Sequence, residues 1–235
     1  MKYTFNSKIR YNEIGPDGCL KLGGLVDYFQ DCAVFHSMSI GFGPDLIQGV
    51  RSGWMIVAWR IFVRSYPRLG DDVRIETWGH RFRTAEGDRN FRLLSPEGRV
   101  YAEADSRFIY VDTALGRPTA PPEEEKQGYG IEPALELKAT PRHVVLPAAH
   151  TAGEPFPVLP SHIDTNRHVN NRQYIDMALN YLPARFTPHE IYVDYHTQAR
   201  LGDTILPKLY EDEERYIISL DAESGRAYCV SEFRK

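Results

Sequence analysis

The chain has 235 residues, of which 42% are hydrophobic and 26% charged, and its formal net charge is −4. These values fit a globular protein of one large or two small domains, and the slightly negative charge gives no indication of a nucleic-acid-binding surface. The first residues lack the apolar run of a signal peptide, and no stretch of about 18 apolar residues predicts a membrane span.

Taken in chain order, the first half predicts one strand, one helix and then several strands. A strand is expected at 3–11, followed by a polar loop. A helix is expected at about 21–38, where apolar residues recur at the spacing of a single helix face. Aromatic and β-branched residues alternate with polar ones at 73–82 and 99–111, which predicts long antiparallel strands.

The second half predicts the same order of elements. A strand is expected at 139–147, a helix at about 170–181 and further strands that include 216–220. Between the halves, prolines and charged residues predict a linker, and its acidic run at 123–126 is expected to be solvated.

Two short stretches of sequence occur twice in the same order. The tetrapeptide Arg-Leu-Gly-Asp lies at 68–71 and again at 200–203, an offset of 132 residues. The segment at 96–104 matches the segment at 223–231 at an offset of 127 residues. Two matches at nearly the same offset indicate an internal duplication.

The region before these matches is also duplicated. Residues 14–33 resemble residues 163–182 at an offset of 149, so the first half carries 17 extra residues, which we place at about 41–53. One helix followed by about four antiparallel strands, present twice, is an α+β arrangement in which each helix buries one face against a sheet. The predicted units and the linker between them are 1–113, 140–235 and 114–139.

The three cysteines are few and widely spaced. Cys19, Cys32 and Cys229 favour free thiols in a reducing cytoplasm over a disulfide framework. Neither the cysteines nor the histidines show the spacing of a metal site, so we expect no metal and no cofactor.

The stretch PSHIDTNRHVNNRQYID places reactive side chains where the second helix is expected to begin. Asp164, Asn166 and His168 occupy every second position. An imidazole titrates near neutral pH and can move protons, a carboxylate can orient it or position a water, and a carboxamide can hold a water or a polarised carbonyl. Unpaired N–H groups at a helix start near Val169 would favour an oxyanion.

A structural interpretation of the same stretch is also open. Asp164 or Asn166 can cap the helix, and a lone histidine is more often structural than catalytic. The duplication favours an active site, because at the offset of 149 the first half has Gly15, Asp17 and Cys19 in the three positions. We therefore expect one active site per chain, in the second half.

At these residues the chain resembles the acyl-acyl-carrier-protein (acyl-ACP) thioesterases of plant plastids and bacteria. Residues 53–78, GWMIVAWRIFVRSYPRLGDDVRIETW, resemble the family's strand pair, with its tryptophan and its P-x-x-G-D turn. Residues 164–175, DTNRHVNNRQYI, resemble its D-x-N-x-H-V-N-N signature. The resemblance implies two tandem hotdog units, each a long helix wrapped by a curved antiparallel sheet, and hydrolysis of fatty acyl thioesters on acyl carrier protein.

The resemblance also implies the site residues. Asp164, Asn166 and His168 match the family's catalytic set. A later glutamate, often followed by cysteine, is replaced here by Gln198 and Ala199. This departure removes a thiol and puts a carboxylate base on that strand in doubt, and Asp194 is the one acid close by in the sequence. Gln198 is kept as a candidate catalytic residue, with polar packing as its alternative.

The acidic carrier protein implied as the partner would need a basic patch. Candidate arginines alternate along the predicted strands of the first half: Arg81, Arg83, Arg89, Arg92 and Arg107. The first half is expected to form the acyl pocket, covered by residues near 42–53 and lined by side chains such as Trp54 and Met55. A homodimer of double hotdogs is a further expectation.

Three other functions remain open at this point. An acyl-CoA thioesterase of the same fold could use the same arginines for phosphates. A hotdog dehydratase fits the H-V-N-N sequence less well than a hydrolase does. A non-catalytic acyl-binding protein is favoured by the glutamine at position 198 alone.

Overall fold

Residues 1–43, 52–138 and 143–235 are described by the structure, a computed structural model. They divide into two compact units, Met1–Val57 with Ile61–Lys138 and Ala58–Arg60 with Ala139–Lys235. No helix within the described ranges is long and apolar enough to cross a membrane. Most of the insertion predicted at 41–53 lies outside the described residues.

The first unit is built on a five-stranded sheet and an 18-residue helix. Its elements are β1 (Tyr3–Lys8), α1 (Leu22–Ser39), β2 (Ser52–Val63), β3 (Asp72–Phe82), β4 (Glu86–Leu94), β5 (Val100–Asp112), β6 (Arg117–Pro118) and α2 (Glu123–Tyr129). The strand order is β1-β3-β4-β5-β2, and the pairs from β1 to β5 are antiparallel. Helix α1 packs against β1 and β3 and buries Leu25, Val26 and Phe29, the apolar face that its sequence predicts.

The second unit repeats this plan with a shorter helix. Its elements are β7 (Thr151–Ala152), β8 (Phe156–Pro157), α3 (Asn171–Leu179), β9 (Glu190–Tyr195), β10 (Thr204–Glu211), β11 (Arg215–Asp221) and β12 (Ala227–Arg234). The antiparallel order is β9-β12-β11-β10-β7, and β8 pairs with β10. Tyr174, Ile175 and Ala178 are the buried face of α3, which packs against β11 and β12. The predicted α+β class and the two helices are confirmed.

The first strand predicted for the second half is wrong in position. Residues 139–142 lie outside the described residues, and residues 143–147 form no strand. The edge of the sheet is instead paired by the two short strands β7 and β8, which flank Gly153 and Pro155. Proline lacks the N–H that a ladder needs and glycine weakens a strand, so the edge is interrupted here.

The duplication is visible in the backbone hydrogen bonds of the turns. At the offset of 132, the N–H groups of Arg68 and Arg200 donate to Oδ2 of Asp71 and Asp203, each at 2.8 Å. Both turns contain a left-handed glycine, with φ of 85° at the first and 88° at the second. Equal geometry at equivalent positions supports the alignment of the two halves at the offset of 132.

Helix α2 lies inside the predicted linker and belongs to the first unit. Glu125 is only 3% exposed and Tyr129 only 1%, so the solvated interpretation of the run at 123–126 is wrong for Glu125. The indole Nε1 of Trp54 donates to Oε1 of Glu125 at 3.0 Å. The acidic run therefore anchors part of the linker through one buried carboxyl.

Candidate active site

The predicted catalytic residues Asp164, Asn166 and His168 lie in a tight loop. Ile163 and Val169 form an isolated β-bridge that closes the loop. Inside it, the N–H of Asp164 donates to the carbonyl of His168 at 2.9 Å, and the N–H of Arg167 donates to the carbonyl of Asp164 at 3.0 Å. Arg167 has a left-handed backbone with φ of 62°, a conformation that costs a non-glycine residue about 1–2 kcal/mol.

The carboxylate of Asp164 holds this loop in shape. Its Oδ1 accepts the N–H of Asn166 at 2.8 Å and the N–H of His168 at 3.3 Å. These are bonds to backbone, and no bond joins this carboxylate to the imidazole in the part of the chain that the structure describes. One role expected for Asp164 was to orient the imidazole directly. Its hydrogen bonds to backbone N–H groups do not support that role.

Helix capping falls to a different residue. The side chain of Asn170 accepts the N–H of Arg172 at 2.9 Å and is the N-cap of α3. The alternative in which Asp164 or Asn166 caps the helix is wrong. The second residue of the Val-Asn-Asn sequence, Asn171, is also used by the fold, because its carbonyl accepts the hydroxyl of Tyr195 at 2.9 Å.

The backbone amides expected to form an oxyanion site near Val169 are already occupied. The N–H of Val169 donates to the carbonyl of Ala199 at 2.9 Å, and the N–H of Asn170 donates to the carbonyl of His162 at 2.9 Å. These two donors are used by the segment after β9 and by the turn at His162, so they are not available to an oxyanion.

The segment after β9 brings position 198 beside the loop. The N–H of Ala199 donates to the hydroxyl of the buried Tyr174 at 2.8 Å, and its carbonyl is the acceptor for Val169. Gln198, the next residue back, is exposed. One backbone bond thus joins the residue after Gln198 to the residue after His168.

Asp194, the acid nearest to this position in the sequence, serves a structural purpose. It is 3% exposed and pairs with Arg60 at 2.7 Å. Its second oxygen accepts the N–H of Val144 at 2.6 Å. A carboxylate held in this way within the second unit does not replace the missing glutamate.

His168 is half-buried, and its two ring nitrogens differ. Nδ1 is buried with no hydrogen-bond partner among the described residues, whereas Nε2 is not one of the buried atoms that lack a partner. Burial lowers the pKa of His168, the positive charge of Arg200 lowers it further, and Asp164 opposes both. Because the ordinary value is about 6.5, the imidazole is neutral at pH 7 and can accept a proton through Nε2.

The equivalent loop of the first unit has the same backbone and different side chains. Ile14 and Leu20 form the bridge, and the N–H of Gly15 donates to the carbonyl of Cys19 at 2.8 Å. The left-handed position is Gly18, with φ of 76°. The first unit thus keeps the loop without the acid, the amide and the imidazole.

The basic patch predicted on the first unit is largely neutralised. Three of its arginines pair with acids, Arg81 with Asp88, Arg83 with Glu86 and Arg92 with Glu103. Arg89 is buried, where its Nη1 donates to Nδ1 of His36 at 3.0 Å. Exposed arginines lie instead beside the candidate site, at Arg167 and Arg200.

Comparison with known families agrees with this geometry. A model described as the acyl-ACP thioesterase N-terminal domain matches residues 1–129, and one described as the C-terminal domain matches residues 147–232. The chain belongs to the acyl-ACP thioesterase family. The resemblance inferred from the sequence motifs is thereby confirmed.

Curated relatives in this family include plant chloroplast enzymes. A dodecanoyl-acyl-carrier-protein hydrolase of Cinnamomum camphora is 26% identical over 86% of this chain and 57% of its own length. A palmitoyl-acyl carrier protein thioesterase of Gossypium hirsutum is 27% identical over 77% of this chain and 47% of its own length. The chain spans about half the length of the curated relatives it matches.

Solved structures share the fold over their whole length. An acyl-ACP thioesterase from Bacteroides thetaiotaomicron is 20% identical, with a TM-score of 0.88 over 99% of this chain and 97% of that one. A 12:0-ACP thioesterase from Umbellularia californica is 17% identical, with a TM-score of 0.85 over 99% of this chain and 96% of that one. These likenesses establish the tandem hotdog fold.

Proposed function

We propose that this chain hydrolyses fatty acyl thioesters of acyl carrier protein at a single site centred on His168. The observation that carries the proposal is the loop at 163–169, where the carboxylate of Asp164 and the carbonyl of Ala199 hold the backbone at His168 and Val169, and where the imidazole of His168 is neutral. Membership of the acyl-ACP thioesterase family supports the substrate class. The acid-amide-imidazole set occurs in the second unit and not at the equivalent positions of the first.

His168 is the general base in this proposal. Water attacks the thioester carbonyl carbon while Nε2 of His168 takes one water proton, and the carbonyl oxygen becomes an oxyanion. Collapse of this intermediate breaks the carbon–sulfur bond, and the imidazolium returns the proton to the leaving thiolate. The products are a fatty acid and the free thiol of the carrier.

Asn166 and Gln198 would hold the attacking water. Both are exposed carboxamides with a donor and an acceptor, and neither can take a proton from water. Asp164 positions the loop through its bonds to backbone. We assign the non-catalytic first unit, with Trp54 and Met55 of β2, to the acyl pocket.

Three further properties belong to the same proposal. The protein would act in the cytoplasm without metal or cofactor, and two chains would pair as a homodimer. Analytical ultracentrifugation of the purified chain tests the dimer.

The second candidate function is a non-catalytic acyl-binding protein, which Gln198 favours because a carboxamide removes the family's carboxylate. Hydrolysis of a panel of acyl-ACP and acyl-CoA substrates separates the possibilities. We expect release of free fatty acid from acyl-ACP by the wild type and a loss of at least about a hundredfold in His168→Ala. Gln198→Ala should lose less. Faster hydrolysis of acyl-CoA than of acyl-ACP would identify coenzyme A as the carrier. Hydrolysis of neither substrate would favour the non-catalytic acyl-binding protein.

A further inference from the structure

Arg200 lies on the segment that forms one wall of the candidate site. It follows Ala199, whose carbonyl accepts the N–H of Val169, the residue after His168. In the first unit the equivalent residues, Cys19 and Arg68, face each other in an isolated antiparallel bridge. Side chains of directly opposed residues in such a bridge project to the same side. The second unit keeps one of the two backbone bonds of that bridge, from the N–H of Val169 to the carbonyl of Ala199, so the register places the backbone of Arg200 opposite that of His168.

No acid neutralises Arg200 among the residues that the structure describes. The nearest carboxylate along the turn, Asp203, accepts the backbone N–H of Arg200 at 2.8 Å and the hydroxyl of Tyr228 at 3.2 Å through the same oxygen. The side chain of Arg200 is exposed. Its charge is thus available to the site, unlike the paired arginines of the first unit.

Charges on two elements shift the pKa of His168. Arg200, on the turn after β9, lowers it, and Asp164, on the loop at 163–169, raises it. The carboxylate of Asp164 already accepts two backbone N–H groups. Residues 198–200 are Gln, Ala and Arg, so this segment carries one positive charge and no negative charge.

We propose that Arg200 is a positioning residue of the hydrolysis, holding a positive charge beside His168 that keeps the imidazole able to accept a proton and attracts the oxyanion. This inference rests on the proposed function. Before the reaction, a nearby cation opposes protonation of the ring. When Nε2 takes the proton from water, the negative charge appears on the carbonyl oxygen, where a cation stabilises it. The imidazolium formed next to Arg200 then releases its proton readily to the thiolate.

The duplication supplies a matched control. Arg68 occupies the same turn in the first unit, with the same backbone bond to an aspartate, and faces Cys19 instead of a histidine. Neutralising Arg68 should disturb a turn of the same kind without changing the charge at the imidazole. Because the turn is held by backbone N–H groups, Arg200→Gln and Arg68→Gln both leave its hydrogen bonds in place.

The experiment is a pH profile of kcat/KM for dodecanoyl-ACP with wild type, Arg200→Gln, Arg200→Lys and Arg68→Gln. We expect Arg200→Gln to move the acid limb to higher pH and to lower the plateau by about tenfold, less than the loss of a buried oxyanion donor. Arg200→Lys should keep the acid limb of the wild type, and Arg68→Gln should match the wild type throughout. Coinciding acid limbs for wild type and Arg200→Gln would overturn the inference, as would an equal shift in Arg68→Gln.

A second measurement separates this inference from the proposed function. The imidazole of His168 is titrated by NMR in histidine-labelled protein, with its resonance assigned from His168→Gln. A rise of its titration midpoint in Arg200→Gln supports the charge placed here, and an unchanged midpoint contradicts it, whether or not the wild type hydrolyses thioesters. Absence of hydrolysis by the wild type counts against the proposed function alone.

Discussion

At the scale of single residues, the proposed site has Gln198 where the family resemblance implies a glutamate, together with Asp164, Asn166 and His168. Gln198 can orient a water but cannot accept its proton, so the proposed mechanism gives the proton to His168. The neutral imidazole suits that task, and Asp164 contributes through the backbone of the loop. Two substitutions distinguish these roles.

Restoring the carboxylate should strengthen the site. In Gln198→Glu we expect kcat/KM for dodecanoyl-ACP at pH 8 to rise about tenfold, because a second base becomes available beside the water. The added negative charge also favours the imidazolium, so the acid limb of the profile should move to higher pH. An unchanged or lower rate would show that position 198 does not face the reacting water.

The role of Asp164 is tested by comparing two replacements. Asp164→Asn keeps an oxygen that can accept the N–H groups of Asn166 and His168, whereas Asp164→Ala removes it. We expect Asp164→Asn to retain activity within about tenfold and Asp164→Ala to lose about a hundredfold or more, because the left-handed loop loses its support. Equal losses in steady-state assays would point instead to a requirement for the negative charge.

At the scale of elements, one amide and one buried acid anchor the two shorter helices. Asn170 caps α3 directly after the catalytic loop, and Glu125 fixes α2 against Trp54 of β2. Neither contact carries out chemistry. Each has a measurable effect on stability.

Loss of the cap should destabilise α3. Asn170→Ala removes the acceptor for the N–H of Arg172 and should lower the free energy of unfolding by about 1 kcal/mol. Asn170→Asp keeps an acceptor at a helix N-terminus and should be close to the wild type. Urea unfolding monitored by circular dichroism measures both, and equal stability of Asn170→Ala and wild type would contradict the cap.

Glu125 should make stability depend on pH. Burial raises the pKa of this carboxyl in the folded state, and hydrogen bonds from Tyr110, Trp54 and Tyr129 lower it in part. A raised folded-state pKa stabilises the protein at pH values below the unfolded value of about 4.3, and that contribution is lost as the pH rises through the folded value. Glu125→Gln stays neutral, so it should be more stable than the wild type at pH 8 and similar to it at pH 4. Thermal unfolding at both pH values checks this, and an equal difference at the two would contradict it.

The elements differ in how far they could be predicted. Helix α1 followed from its apolar periodicity, and the long strands followed from alternation. The edge strands β7 and β8 were missed because Gly153, Pro155 and Pro157 disfavour a strand by local rules. Applying the offset of 149 to β1 would have placed their counterpart at 152–157. Helix α2 was missed because three successive glutamates suggested solvent, and burial of one of them is a tertiary effect.

The features of the candidate site also differ in how far they could be predicted from the sequence. The identities of Asp164, Asn166 and His168 could be taken from the sequence, and Asn170 could have been recognised as a cap from its place before the helix. The occupied amides of Val169 and Asn170 could not, because their acceptors lie on other segments. The role proposed for Arg200 depends on the repeated Arg-Leu-Gly-Asp turn, whose copy in the first unit pairs Arg68 with Cys19.

At the scale of the whole molecule, the duplication has produced two units with similar backbones and different side chains at the equivalent loop positions. The two units share the aspartate bond of the turn and several backbone hydrogen bonds of the loop, while the acid, amide and imidazole occur in the loop of the second unit and not at the equivalent positions of the first. The second unit also contains a buried ion pair between Arg60 and Asp194. Because Asp194 is engaged in this pair, we interpret it as a structural residue and not as a catalytic base.

Breaking the buried pair should be costly. Asp194→Ala leaves the guanidinium of Arg60 uncompensated and should lower the free energy of unfolding by about 3–5 kcal/mol. The control is Asp72→Ala, which removes an exposed partner of Lys8 and should cost no more than about 1 kcal/mol. Denaturant titration compares the two, and similar small losses would contradict a buried, paired Asp194.

The central claim is that one of two equivalent loops carries out thioester hydrolysis. The most direct test compares His168→Gln with Cys19→Ala, which change equivalent positions of the two units, in single-substrate assays of fatty acid release from dodecanoyl-ACP. We predict a loss of about a hundredfold or more in His168→Gln and wild-type rates in Cys19→Ala. Wild-type rates in His168→Gln, or an equal loss in both variants, would contradict a single site at His168.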